Sequence, residues 1–254
     1  MQKIDNYTFL TSAPVDKVIL KMAVPTIISM LVTSLYNMAD TFFVGKLSTQ
    51  ATASVGIVFS VMFFIQAFGF FFGHGSGNYI SRELGAKRHE NAQKMASTAF
   101  FFSVICGLIF TVVGEIMLKP ISIFLGSTPT ILPYTEDYMG TILLGAPFLT
   151  ASLTINNQMR FQGNARFAMW GIVTGTLINV VLNPLFIFGF NMGVRGSALA
   201  TVIGQIISFC ILLRLSYINQ NIGIHFKYFS PSWRALREIF YGGSPSLSRQ
   251  GLEC

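Results

Sequence analysis

Asp40 is the residue around which any chemistry in this sequence must be organised. It lies in Leu35-Tyr36-Asn37-Met38-Ala39-Asp40-Thr41-Phe42-Phe43-Val44-Gly45, within an apolar stretch flanked by Lys17 and Lys21 on one side and Lys46 on the other. An ionised carboxylate inside a bilayer is costly, so it needs partners or a function. It could take a proton from one side and release it to the other as packing changes. It could equally coordinate Na⁺ with amide and hydroxyl oxygens. Either use links an ion gradient to a conformational change, because the ion binds one state more tightly. Oxygens of this kind recur in the apolar stretches. Tyr36 and Asp40 are four apart and share a helical face, as do Asn179 and Asn183. Asn37, Tyr138, Asn156, Asn157 and Thr201 complete the set. Amides and hydroxyls in lipid also serve as glue between helices. Asp40 differs, because glue does not require a charge. Its alternative is an outer-interface Asp touching water, although Thr41 to Gly45 still separate it from Lys46.

The elements that hold these residues follow from composition. The chain has 254 residues, of which 11% are charged and 25 are Phe, and its mean hydropathy is +0.59. An ordinary soluble domain is excluded. The charges fall in clumps, leaving charge-free stretches at 22–39, 47–81, 95–114, 138–159, 167–194 and 196–213. Each reaches the roughly 17–25 residues of a transmembrane helix, and six spans are expected. Lys and Arg asymmetry sets the orientation. With the N-terminus cytoplasmic, the inner side carries Lys3, Lys17, Lys21, Arg82, Lys87, Arg88, Lys94, Arg160, Arg166, Arg214, Lys227, Arg234 and Arg237. The outer side carries only Lys46, Lys119 and Arg195, and Arg249 is unassigned. The net charge of +7 is therefore topological and implies no nucleic-acid partner. From Lys17 to Lys46 the centre falls near residue 31, which places Asp40 about 13 Å beyond it, in the outer half of the membrane. The N-terminus does not read as a signal peptide. Cys106 and Cys210 fall in spans and Cys254 at the end, with no pair or His cluster to hold a disulfide or a metal.

Gly73-His74-Gly75-Ser76-Gly77 in the second span favours close helix packing or a bend over phosphate binding, and His74 reads as a packed polar residue. Glu115 marks the outer end of the third span, and the segment Lys119 to Asp137 is the longest external connection. Pro25, Pro147 and Pro184 mark kinks, static or at moving parts. A weak repeat relates the first span to the tail 220 positions later: Lys17 meets Arg237, Ile19 meets Ile239, Ala23 meets Gly243, Pro25 meets Pro245 and Thr26 meets Ser246. This is expected if a second six-helix unit begins there. The division is then a six-helix lobe over 1–220, followed over 221–254 by a cytoplasmic linker and the truncated start of a second lobe.

Five segments carry a family resemblance: Leu35 to Gly45, Ile80-Ser81-Arg82-Glu83-Leu84-Gly85-Ala86-Lys87-Arg88, Gln162-Gly163-Asn164, Asn179 to Phe188, and Gly243-Ser244-Pro245-Ser246. In these the chain resembles the N-terminal half of multidrug and toxic compound extrusion (MATE) transporters. The resemblance implies an all-α membrane protein, the six-helix N-lobe of a twelve-helix transporter with a V-shaped cavity, plus the start of a seventh helix. It implies a prokaryotic inner-membrane location and export of cationic or amphiphilic compounds in exchange for H⁺ or Na⁺, with no other cofactor. It implies that Asp40 is the ion-coupling acid, with Tyr36, Asn156, Asn179, Asn183 and Thr201 around it, and that Tyr138 and Asn37 lie at the substrate cavity. One departure matters: many relatives carry Asp where this chain has Asn183, so a Na⁺ site with one charge fits and a two-carboxylate proton relay does not. Three rivals stand beside this reading. A lipid-linked saccharide flippase would favour a strongly cationic cavity. An intramembrane enzyme would need facing acids. A single lobe that transports nothing would have half a cavity.

Overall fold

The computed structural model describes residues 13–218 and 222–251, so Lys3 and Cys254 lie outside the described residues. Among the described residues there is no strand. The helices are α1 (Val15–Gly45), α2 (Thr49–Gly85), α3 (His89–Ile116), α4 (Leu118–Phe124), α5 (Leu132–Leu144), α6 (Ala146–Phe161), α7 (Ala165–Pro184), α8 (Gly193–Ser216) and α9 (Trp233–Gly251). A π turn, Leu185–Gly189, extends α7. Helices are the outcome that apolar sequence dictates in lipid, where every backbone polar group must be satisfied within its own segment. Five helices are long and apolar enough to cross a membrane: α1, α2, α3, α7 with its π turn, and α8. The pair α5 and α6, bent by 50°, makes a sixth if taken as one span.

That bend falls at Pro147, where a kink was expected, and its cause is local. Pro147 stands at the second position of α6 and has no N–H for the Leu143 carbonyl four residues earlier. Thr111 of α3 supplies the missing donor, its Oγ1 donating to Leu143 O at 2.6 Å. Thr150 Oγ1 donates in turn to Ser103 O at 2.9 Å, so α3 braces both halves. Two expectations shift. Tyr138 does not open the fourth span but lies midway along α5, which already begins at Leu132. The connection from Lys119 to Asp137 is partly helical, holding most of α4 and the start of α5. Pro25 is accommodated without a break in α1, whereas Pro184 ends α7 and passes the chain into the π turn.

Three apolar clusters hold the bundle. One, around Val55, Ile65, Tyr138, Ile142, Ile187 and Ala198, joins α2, α5, the π turn and α8 beside Asp40. A second, around Phe100, Ile155, Ala168 and Leu212, joins α3, α6, α7 and α8. A third, around Ile80, Met95, Ala96 and Ile239, seats α9 on α2 and α3. Glycine-to-glycine contact of Gly175 with Gly204 brings α7 and α8 close enough for their polar side chains to meet. The alternating glycines of α2 serve packing and not a bend: α2 runs unbroken, with Gly73 against Asn157, Gly75 against Ile239 and Gly77 against Phe161. His74 is a packed residue, stacked on Phe70 and hydrogen-bonded through Nδ1 to Ser246 Oγ at 2.7 Å.

The segment that follows α8 is bonded onto the bundle. Ile222 N donates to Gln162 Oε1 at 2.8 Å, and His225 N donates to Ser97 Oγ at 3.2 Å. Ser230 N donates to Thr98 Oγ1 at 3.2 Å. Phe226 and Phe229 close on Phe101 edge to face.

Candidate functional site

Asp40 is 1% exposed, so the option of an interfacial carboxylate touching water does not hold. It points from α1 toward α7 and α8. Asn183 Nδ2 donates to Asp40 Oδ1 at 2.5 Å, and Ser197 Oγ donates to the same oxygen at 2.6 Å. Hydrogen bonds to a charged acceptor are about twice as strong as neutral ones, which offsets part of the cost of burying the carboxylate. One turn back along α1, the Tyr36 hydroxyl is hydrogen-bonded to Thr201 Oγ1 at 3.3 Å. Asn179 Nδ2 donates to Thr201 Oγ1 at 3.0 Å. The i, i+4 pairs of three helices thus interlock: Tyr36 and Asp40 of α1, Asn179 and Asn183 of α7, Ser197 and Thr201 of α8.

Tyr138 of α5, expected at the substrate cavity, is not at the groove but closes this site from the fourth side. It is wholly buried, with its hydroxyl beside the Asp40 carboxylate and Ser197 but without hydrogen-bond geometry to either. The amide oxygens of Asn179 and Asn183 are buried and have no donor among the described residues. Around one carboxylate the structure therefore gathers two unused amide oxygens and four hydroxyls, of Tyr36, Tyr138, Ser197 and Thr201. An all-oxygen set with one net charge suits a hard, weakly charged cation.

One expected member of the ion site lies elsewhere. Asn156 is not in the cluster: it is buried between α6 and α7, where Nδ2 donates to Ala168 O at 2.7 Å. The reason is the length of the fourth span, since Asn156 sits 18 residues, about 27 Å of helix, beyond Tyr138. Asn156→Ala is expected to lower stability by about 1 kcal/mol, through the lost hydrogen bond, and to leave ion affinity unchanged. Thermal unfolding beside ion-binding titration checks this; weakened ion binding at unchanged stability would place Asn156 back in the site. Asn37 turns to the other side of α1. With Met38, Thr41, Phe42, Phe59 and Phe63 it lines an open groove of about 550 Å³ between α1 and α2.

Ser197 was missed by sequence reasoning, although its spacing of four from Thr201 was a readable signal. Glycine and serine are so common in membrane helices that the pair did not stand out.

The fold and site define a polytopic helical membrane protein with a buried acid held between its spans. The family model MatE matches residues 25–185, so the chain belongs to the MatE family. The multidrug export protein MepA of Staphylococcus haemolyticus (strain JCSC1435) is 27% identical over 247 residues, 96% of this chain and 55% of that protein. MepA of Staphylococcus aureus (strain MRSA252) is 27% identical over 249 residues, with the same coverage. A MOP superfamily transporter from Pyrococcus furiosus superposes with a TM-score of 0.90 at 28% identity, over 98% of this chain and 56% of that one. An outward-facing multidrug resistance MATE family transporter gives the same values. The chain spans about half the length of the curated relatives it matches. It is an integral membrane protein whose relatives are transporters and not enzymes.

Proposed function

We propose that the chain is the six-span N-terminal lobe of an ion-coupled exporter of cationic or amphiphilic compounds. It sits in a prokaryotic cytoplasmic membrane with its N-terminus inside, exchanges cargo for H⁺ or Na⁺, and is completed by a second lobe. The observation that carries this reading is the buried Asp40 carboxylate, bonded to α7 and α8 and surrounded by unused oxygens. A buried charge is costly to hold, and a reversibly bound ion gives it a function.

The coupling follows from the two faces of α1. One face holds Asp40 and Tyr36 against α7 and α8. The adjacent side holds Asn37, Met38 and Phe42 at the apolar groove toward α2. Binding of an ion at Asp40 exchanges the hydrogen bonds that α1 makes with Asn183 and Ser197. Such an exchange favours one placement of α1 and so changes the groove on its other side, which suits a flat aromatic cation with an apolar body. The ion thereby biases cargo affinity by its own differential binding. The flippase alternative gains nothing here, since the groove carries no Lys or Arg in its lining.

The test is efflux of a cationic dye from vesicles bearing the two-lobe protein, under imposed H⁺ or Na⁺ gradients. Efflux should rise with one gradient and collapse when an ionophore dissipates it. Efflux indifferent to both gradients overturns the reading.

A further inference from the structure

A second cavity, of about 120 Å³, opens where α2, α3 and α9 meet, at the end of the bundle that carries Arg82, Lys87, Arg88 and Lys94. It is too small for a drug-sized cargo, which fills about 300–1,000 Å³. Its wall is drawn from three separate pieces of chain: Tyr79 of α2, Lys94 of α3, and Ser230, Ser232 and Arg234 at the entry to α9.

Two ion pairs cancel most of the charge there. Glu238 lines the cavity but is bonded to Arg82 at 2.6 Å, and Lys94 is bonded to Glu90 at 2.7 Å. Arg234 is left over, since no carboxylate pairs with it among the described residues. Ser230 is tied to Thr98 through its backbone alone, and Ser232 Oγ accepts from Ala235 N at 3.1 Å, so both O–H groups are free to donate. One guanidinium and two hydroxyl donors around one surplus positive charge match a monoanionic phosphodiester.

The surface below the cavity says which phosphodiester. Lys94, Met95 and Thr98 share one face of α3, and that face continues along the helix as Phe102, Ile105 and Ile109. Ile105 is 45% exposed and Ile109 54%. A donor-lined cavity at the membrane boundary therefore stands over an apolar track within the hydrocarbon. Trp233, beside the cavity and 82% exposed, suits the headgroup level, where Trp is enriched.

We propose that this cavity binds the headgroup phosphate of an anionic phospholipid such as phosphatidylglycerol, with an acyl chain along Phe102, Ile105 and Ile109. Basic pockets between membrane helices on the cytoplasmic side are where anionic headgroups bind. The lipid ties α2 and α3 to the entry of α9. Its site is separate from the Asp40 cluster and does not depend on the coupling ion.

The purified chain in detergent, offered defined phospholipids and read by native mass spectrometry, tests this. It should retain phosphatidylglycerol about fivefold better than phosphatidylcholine with the same acyl chains. Arg234→Gln should remove that preference. Arg237→Gln should keep it, because Arg237 lies over the Tyr241 ring and outside the cavity. A wild-type chain without the preference overturns the site. Equal loss in the two variants does so as well, since the preference would then belong to diffuse basic charge. Glycerophosphoglycerol, the same headgroup without its chains, should compete at least about a hundredfold more weakly than the lipid. Competition at equal concentration would mean that the cavity takes a free phosphate ester, and overturns the lipid.

Discussion

Asp40→Asn is expected to abolish ion-coupled efflux in the two-lobe protein while leaving expression and folding intact. The substitution keeps the shape of the side chain and one acceptor oxygen for Asn183 and Ser197, so the contacts at 2.5 and 2.6 Å can persist in neutral form. Removing the charge also relieves the cost of burying it, and the lobe should be no less stable. The ion is what loses. Asp40 is the one acid in the site, so its removal leaves a cation with amide and hydroxyl oxygens alone. The loss of a charged partner in a buried pair is worth about 3–5 kcal/mol, more than about a hundredfold in affinity. Dye efflux driven by the ion gradient should fall to the level of empty vesicles, with protein amount unchanged on a blot. Undiminished gradient-driven efflux would sink the assignment. Loss of the protein itself would instead show that the charge is structural.

How far the sequence carried this site depends on which residue is asked about. Asp40, Tyr36, Asn179, Asn183 and Thr201 were legible because a polar side chain in a charge-free stretch is costly, and because spacing of four fixes which residues share a face. The structure joins all five. Asn156 was not legible, because nothing local states how far along a bent span it lies from the acid. The bend at Gly145 was half legible. Pro147 marked a carbonyl without a donor, but the donor that makes a 50° break tolerable is Thr111, 32 residues away in sequence. The helix start at Leu132 was not legible from the charge-free stretch 138–159, because a helix can run on past the charges that bound such a stretch.

The packing of α9 carries the other large expected effect. Gly75→Leu should release α9 from α2. A Cβ at position 75 would lie 2.3 Å from Ile239 O and 3.0 Å from the same residue's Cα, and a backbone cannot rotate away as a side chain can. Gly242 meets Gly75 from the other side, and Gly243 packs on Phe71 O, so sliding the helices only moves the clash. What holds α9 in place is modest by comparison. The Arg82–Glu238 pair at 2.6 Å is largely exposed and contributes about 0–1 kcal/mol. The His74–Ser246 hydrogen bond adds about 1 kcal/mol. Burial of Ile239 and the edge contact of Phe71 with Phe240 supply the remainder. Forcing a side chain into such a contact costs about 1–3 kcal/mol even where neighbours can adjust, and here they cannot. Trypsin cleavage after Arg234 and Arg237 should therefore accelerate by about tenfold or more, because it tracks the population of the open form. Asp40 lies near the C-terminal end of α1, and α1 is not among the helices that seat α9, so ion binding at Asp40 should be unaffected. Gly56→Leu is the matched control, since a Cβ there meets nothing within 4 Å. Equal cleavage of the two variants would mean that the glycines of α2 are not what admits α9.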